Sequence, residues 1–360
     1  MKLLLLGDVC STPVNRALFE AEDVPALFTD TLSLFEGNDA VMVNLECAIT
    51  DSDHAIPKFG PNLKSPLSTA RVLKKVGVTH CGLSNNHIFD FGIPGVTETM
   101  RELDAVGIAY TGFGKNLADS RKNMILEQNG ERIAVVAVCE HEYSYALENR
   151  MGSRPFDEIE TLEDIRAAKA EADRVIVMYH GGKEYCQYPS PRLVKVCRGM
   201  ARAGADVILC QHTHCIGCYE EYQGCHILYG QGNFHFLLEK VPEIWNSLLA
   251  VHYDTKAHTV EFTPIVNQAP AITLAKGAEK EALLSAFAAR NQQLKNGEWK
   301  QGWHEFCLSY KEKYRSALQN VEKEDSTERQ NALFGHYLDC EAHTDVWREL
   351  YPTYNQTNEL

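Results

Sequence analysis

Lys2-Leu3-Leu4-Leu5-Leu6-Gly7-Asp8 opens the chain with four consecutive leucines that stop at a glycine and an aspartate. An unbroken apolar run of this length suits a strand buried on both faces. It is shorter than the roughly 7 apolar residues of a secretory signal core, so it reads as the first strand of a sheet. The same form recurs along the chain. Apolar runs at 40–43, 79–83, 133–138, 175–179, 207–210 and 226–229 are further strand candidates. Between them, segments 68–76, 94–106, 161–172 and 190–203 place apolar residues three and four apart, and Gly77, Gly107 and Gly204 stand where helix C-caps belong. This alternation predicts an α/β protein. Residues 247–253 and 258–265 alternate as antiparallel strands do, so the sheets should be mixed.

After about residue 275, Lys, Glu, Gln and Ala dominate, and helix formers run through 280–294, 304–319 and 327–350. The expected organisation is an α/β domain over residues 1–270 and a helical region over 271–360 packed on it, with no chemistry expected from the helices. In 360 residues, 35 Lys+Arg against 49 Asp+Glu leave a formal charge of −14. Such a chain has no global attraction for nucleic acid, so a nucleic-acid partner is not expected. No run approaches the roughly 18 apolar residues of a membrane span. Twelve scattered cysteines in a chain this long suit reduced core thiols and a cytoplasmic protein. Cys215-Ile216-Gly217-Cys218 has the CxxC form, but lacks a second ligand pair and precedes a turn rather than a helix, so two reduced thiols are expected.

Polar residues cluster at the C-terminal ends of the predicted strands, where α/β sheets place their sites. Asp8 follows the first strand, Asn44 and Glu46 the second, and Asn85-Asn86-His87 the third. His180, and then His212 with His214, follow two later ones. Taken singly, Asp8 reads equally as a turn or helix-capping residue and His180 as a core histidine before a glycine turn. The spacing of His212 and His214 would point both side chains one way in an extended segment. The ordered set of carboxylates, amide and imidazoles is the donor mixture of Mn, Fe or Zn, and exceeds what one tetrahedral ion can use. Two divalent ions are therefore expected.

Gly7-Asp8, Asn44-Leu45-Glu46, Ser84-Asn85-Asn86-His87 with Asp90 and Gly92, His180-Gly181-Gly182 with Glu184-Tyr185, Gln211-His212-Thr213-His214 and Gly230-Gln231-Gly232-Asn233-Phe234 resemble the poly-γ-glutamate capsule-synthesis (CapA) family. That family is similar to the calcineurin-like metallophosphoesterases. The resemblance runs in order from about residue 3 to 265 and leaves out the C-terminal helices. It implies two mixed β-sheets packed as a sandwich between helices. It further implies that Glu46 bridges two metals, that Asp8 and His214 serve one ion and that Asn86, His180 and His212 serve the other. His87 would then act as proton donor, held by Asp90, toward a group attacked by water that the ions acidify. Metallophosphoesterases usually carry a histidine two residues after the first aspartate. Cys10 stands there in this chain, either as a thiolate ligand or beside an empty position.

Substrate contacts are expected from Asn44, Asn85, Asn233, Lys58, Lys64, Lys183 and Glu184, which accompany these motifs, and from Glu140 and His141 after the strand at 133–138. The implied function is a metal-dependent hydrolase of a phosphoester or a poly-γ-glutamate-related anion, small or polymeric, as a monomer or homo-oligomer. The alternative is a non-catalytic metal-containing protein that binds a polymer or glycan in capsule biosynthesis. A thiol redox protein using Cys215 and Cys218 is a third reading.

Overall fold

A computed structural model describes residues 1–239, 245 and 247–352. Its centre is two mixed sheets packed face to face. In the larger, Lys2–Cys10 runs parallel to Ala40–Leu45 on one side and antiparallel to Ser247–Asp254 on the other. In the smaller, Arg174–His180 lies between Glu131–Cys139 and Val207–Gln211, parallel to both.

The leucine run shows why these strands read as continuous apolar stretches. Leu3 and Leu5 enter the core between the sheets, with Val135, Ile176 and Leu209 opposite. Leu4 and Leu6 point the other way, into a core shared with the helices on the outer face. Both faces of the strand are therefore buried, and each leucine contributes about 1.5–3 kcal/mol of burial. A third apolar cluster joins the smaller sheet to its own helices, including Ile165, Leu193 and Met200. The result is a four-layer sandwich of helices, sheet, sheet and helices, as expected.

The helices begin and end where the local chemistry directs. Ser68–Val76, Gly92–Val106 and Pro191–Ala203 stop at Gly77, Gly107 and Gly204, each left-handed with φ of 108°, 66° and 118°. Ser190 caps Pro191–Ala203 by accepting from the Leu193 N–H at 3.0 Å. Tyr219–Tyr222 is an edge strand that leads into the turn at Gln223 and Gly224, where the sequence suggested one.

The C-terminal region forms Gly277–Asn296, Trp299–Val321, Glu328–Asp339 and Glu341–Leu350. The expected segment 327–350 is thus two helices, broken at Cys340, whose backbone is extended (φ −76°, ψ 129°). Trp303, Cys307, Tyr314, Tyr337 and Val346 bury one another against Cys186, in the loop after the Arg174–His180 strand. The cap is thereby anchored beside the strand ends. Among the described residues, no helix is long and apolar enough to cross a membrane.

Two glycines bring the strand ends together. A Cβ on Gly7 would meet the Gly232 carbonyl oxygen at 2.3 Å, and one on Gly232, at φ 85°, would meet the Ser247 carbonyl oxygen at 2.2 Å. Only because both side chains are absent can Asn233–Phe236 lie along the end of the first strand, with Asp8 opposite Asn233 on one side and Asn44 on the other.

Candidate metal centre

Asp8, Asn44, Glu46, Asn86, His180, His212 and His214 are brought into one buried cluster between the two sheets. Asp8 is held by three groups. Asn44 Nδ2 donates to its Oδ1 at 2.7 Å, the His212 backbone N–H donates to Oδ2 at 3.1 Å, and Nδ1 of His214 lies 3.6 Å from Oδ2. Asn44 also stands 3.1 Å from Nδ1 of His180, whose Nε2 faces Oδ1 of Asn86 at 3.0 Å and Nδ1 of His212 at 3.2 Å. Asn233 Oδ1 lies 2.9 Å from Nδ1 of His214 and fixes that ring.

Glu46 is the exception in this network. Both its oxygens are fully buried, and among the described residues neither meets a hydrogen-bond donor other than the neighbouring Asp8 carboxyl. Nε2 of His180 comes within 3.3 Å of Oε1 but out of line for a hydrogen bond. A carboxylate left in this state is costly, and a cation is the partner that would satisfy it. Glu46, His212 and His214 place one donor atom each within 4.8 Å of one another, and so do Asp8, Glu46 and His180. That spacing matches donors around an ion with bonds of about 2.0–2.2 Å after small side-chain adjustments. Glu46 belongs to both groups. His180 pairs with Asp8 and His212 with His214, a grouping that crosses the division implied by the resemblance.

The electrostatics fit a cation as well. Burial, then the neighbouring Glu46 carboxylate, push Asp8 up to about 7, while His180, His214 and Asn44 pull it back. Burial, then Glu184 and Glu142, drive Glu46 well above the usual carboxylate range. Burial holds His180, His212 and His214 at about 4, hence neutral and able to ligate.

Backbone geometry at the His212-Thr213-His214 loop differs from the extended segment the spacing suggested. His212 and His214 both adopt left-handed backbone, with φ of 80° and 55°. Their rings converge through two strained residues, not through strand alternation. Cys10 also resolves. Its thiol lies in the apolar core and bonds the Ser11 carbonyl at 3.4 Å, and Cys47 with burial drives it well above its ordinary range, so it stays a protonated core residue. The Cys215 and Cys218 thiols point to the Cys186 and Gln187 carbonyls at 3.4 and 3.5 Å as free thiols.

Beside the cluster lies a cavity of ≈ 210 Å³ walled by Asn86, His87, Lys58, Glu142, Lys183 and Glu184 and, from the C-terminal helices, by Lys313, His336, Tyr337 and His343. Nδ1 of His87 lies 2.7 Å from Oδ2 of Asp90, and Lys58 Nζ lies 2.5 Å from Oδ1. Asn85 supports this loop, accepting from the His87 and Ile88 N–H groups at 3.1 and 2.9 Å and donating to the Leu45 carbonyl at 2.8 Å. Asn44, Asn85 and Asn233 therefore hold other site residues and do not line the cavity.

Three expected substrate contacts lie elsewhere. Lys64 bonds Asp53 and the Ser52 carbonyl, both at 2.8 Å. Glu140 binds Arg192 at 2.5 Å, the Tyr179 hydroxyl at 2.8 Å and the Ala342 N–H at 3.0 Å, so it receives the start of the last helix. His141 pairs with Glu341 at 2.7 Å. Glu142, which the sequence places with Glu140 and His141 after the strand at 133–138, does line the cavity, its oxygens 3.5 Å from His212 Nε2 and 3.2 Å from His336 Nε2. Three of the C-terminal helices, from which no chemistry was expected, line the cavity.

Sandwich and donor cluster together define a protein whose two sheets bring a candidate metal-binding cluster to their strand ends. The chain belongs to the bacterial capsule synthesis protein PGA_cap family, whose model matches residues 2–237. It is 29% identical over 235 residues to the PGA biosynthesis protein CapA of Bacillus subtilis strain 168, covering 64% of this chain and 62% of that one. It is 31% identical over 245 residues to the capsule biosynthesis protein CapA of Bacillus anthracis, covering 66% and 60%. The match thus spans about three fifths of each relative's length. Among solved structures, a putative 5'-nucleotidase from Staphylococcus aureus is similar at 12% identity and a TM-score of 0.44, covering 80% of this chain and 58% of that one.

Proposed function

We propose that the protein is a dinuclear-metal hydrolase acting on a phosphoester or a poly-γ-glutamate-related anion. The observation that carries this reading is the Glu46 carboxylate, buried, without a hydrogen-bond donor other than the Asp8 carboxyl and common to two donor groups. Asp8, His180, His212 and His214, with Asn86 beside them, would complete the coordination of two ions, of Mn, Fe or Zn character. When bound, such ions supply Lewis acidity and bring the pKa of a water toward neutrality.

The chain's own residues do the rest. Asp90 and Lys58 engage the Nδ1 side of His87, which leaves Nε2 to hand a proton to a leaving group in the cavity. A protein that only bound metal or polymer would not need this pair. The anionic substrate follows from the names of the relatives, which place them in PGA and capsule biosynthesis.

The test is elemental analysis of protein purified without chelator, wild type and His212→Ala, followed by a screen of phosphodiesters, phosphomonoesters and poly-γ-glutamate with Mn added. About two ions per chain, fewer in the variant, with turnover of one substrate class, is the expected result. No metal uptake after loading with Mn, Fe or Zn would overturn the proposal.

A further inference from the structure

The cavity beside the donor cluster contains two cations with no assigned work. Lys183 leaves the loop that follows His180 and is only 9% exposed, yet among the described residues its ammonium makes no ion pair and no hydrogen bond. Its one close neighbour is the Tyr310 ring, whose centroid lies 5.9 Å away. Lys313 approaches the same ring from the Trp299–Val321 helix at 5.4 Å, also unpaired. Burial, then the charge of Lys183, lowers the Lys313 pKa, and Glu184 opposes them, so the two ammoniums share one cavity wall, Lys183 buried and Lys313 at its exposed rim. Burying an ammonium without a counterion costs several kcal/mol. By contrast, Lys58 in the same wall is neutralised by Asp90 at 2.5 Å.

The imidazoles behind the lysines are firmly held. His336 lies against Glu142 at 3.2 Å and stacks on Tyr143 with centroids 4.9 Å apart. His343 stacks on Tyr337 at 4.4 Å, and its Nδ1 meets the Tyr314 hydroxyl at 2.5 Å. Of the two carboxylates in this wall, Glu142 is committed to imidazoles and Glu184 offsets part of the charge of Lys183. Glu142 lies between His212 and His336, and Glu184 adds its charge to the field at Glu46. The charge of Glu184 acts on both Lys183 and Lys313, so one acid faces two ammoniums and the pair keeps a net positive charge.

We propose that Lys183 and Lys313, backed by His336 and His343, form an anion-binding subsite of this cavity, supplied jointly by the sandwich and the C-terminal helices, which holds a carboxylate or phosphate of the substrate away from the bond being broken. The PGA_cap match ends at residue 237, so three of the four residues of this subsite lie on helices beyond it. The inference rests on the proposed hydrolase, because it assigns a substrate contact to that site.

Full-length wild type, Lys183→Met and Lys313→Met, each Mn-loaded and each treated with chelator, are titrated calorimetrically with inorganic phosphate and with glutarate, and metal content is measured on the same samples. The expected result is binding of at least one anion, weakened about tenfold in each lysine variant at unchanged metal content. Tighter phosphate would assign a phosphoryl group to the subsite, and tighter glutarate a carboxylate. Wild-type affinity in both variants, or no binding of either anion to wild type, would overturn the subsite. Failure of wild type to take up metal would instead overturn the hydrolase, and lysine-dependent anion binding to the chelated protein would still support the subsite. Lys313 is on the surface of its helix, so its variant remains informative should the Lys183 variant misfold.

Discussion

His87 Nδ1 stands 2.7 Å from Asp90 Oδ2, and the same carboxylate accepts from the Leu63 N–H at 2.7 Å. One buried acid thus orients the ring and fixes the cavity wall. His87→Ala is expected to lower turnover by about 10²–10⁴-fold with metal content unchanged. Asp90→Asn is expected to add a stability loss of about 3–5 kcal/mol, because it strands the Lys58 ammonium, whose side chain is 2% exposed. Steady-state kinetics, elemental analysis and thermal melts separate the two effects.

Replacing Glu46 by Gln removes the shared carboxylate but keeps its shape. Metal uptake should be lost. In chelated protein at pH 8, however, the variant should melt above wild type, because it no longer buries an acid whose one donor is the Asp8 carboxyl. Retained metal in Glu46→Gln would count against Glu46 as a ligand.

Chelated protein should lose stability on acidification. His180, His212, His214 and His235 are held at about 4 by burial, against an ordinary 6.5, so the unfolded chain binds more protons than the folded one between those values. Their contribution is complete above about pH 6.5 and lost as pH falls toward 4. Asp8, raised to about 7, and Glu46, raised also, work in the opposite sense, since the folded state keeps their protons. Four imidazoles outweigh two carboxyls, so Tm at pH 5 should lie below Tm at pH 7. Asp8→Asn, which deletes one opposing group, should steepen the difference.

Glu142 links a donor histidine to the cap. Glu142→Gln is expected to weaken metal binding by about 10–100-fold, the usual effect of removing a group that orients a ligand. It should also speed amide hydrogen exchange in Glu328–Asp339, where His336 loses its charged partner. Metal titration and exchange mass spectrometry read both effects from one sample.

Gly7→Ala should cost about 1–3 kcal/mol or more, because its Cβ would meet the Gly232 carbonyl oxygen of the backbone as well as the Leu248 side chain. Gly335→Ala is the contrast. It lies inside a helix with nothing within 4 Å, and should stabilise by about 0.5–1 kcal/mol. Urea titration of the two variants gives both values.

The sandwich and the members of the cluster were legible because both follow from local pattern. Runs such as Leu3 to Leu6 must be buried on both faces, and the ends of parallel strands converge whatever the loops do. What was not legible depends on distant partners. Glu140, Glu142 and His141 stand side by side, yet one receives a helix, one meets two imidazoles and one pairs with Glu341. Their roles are set about 200 residues away. Lys313, His336 and His343 lie on helices whose pattern reports only amphipathic packing. The left-handed turns at His212 and His214 likewise reflect tertiary constraint, since the local pattern alone suggests an extended segment there.

Those two turns set stability and activity against each other. A non-glycine residue held left-handed costs on the order of 1–3 kcal/mol, and the loop carries two of them within three positions. Glycine at either position would relax the backbone and delete an imidazole. A library selected only for heat resistance should therefore drift toward glycine at 212 and 214, yielding sturdier proteins that have lost the centre. The strain at His212 and His214 accompanies the convergence of their rings, with the rest of the sandwich bearing it.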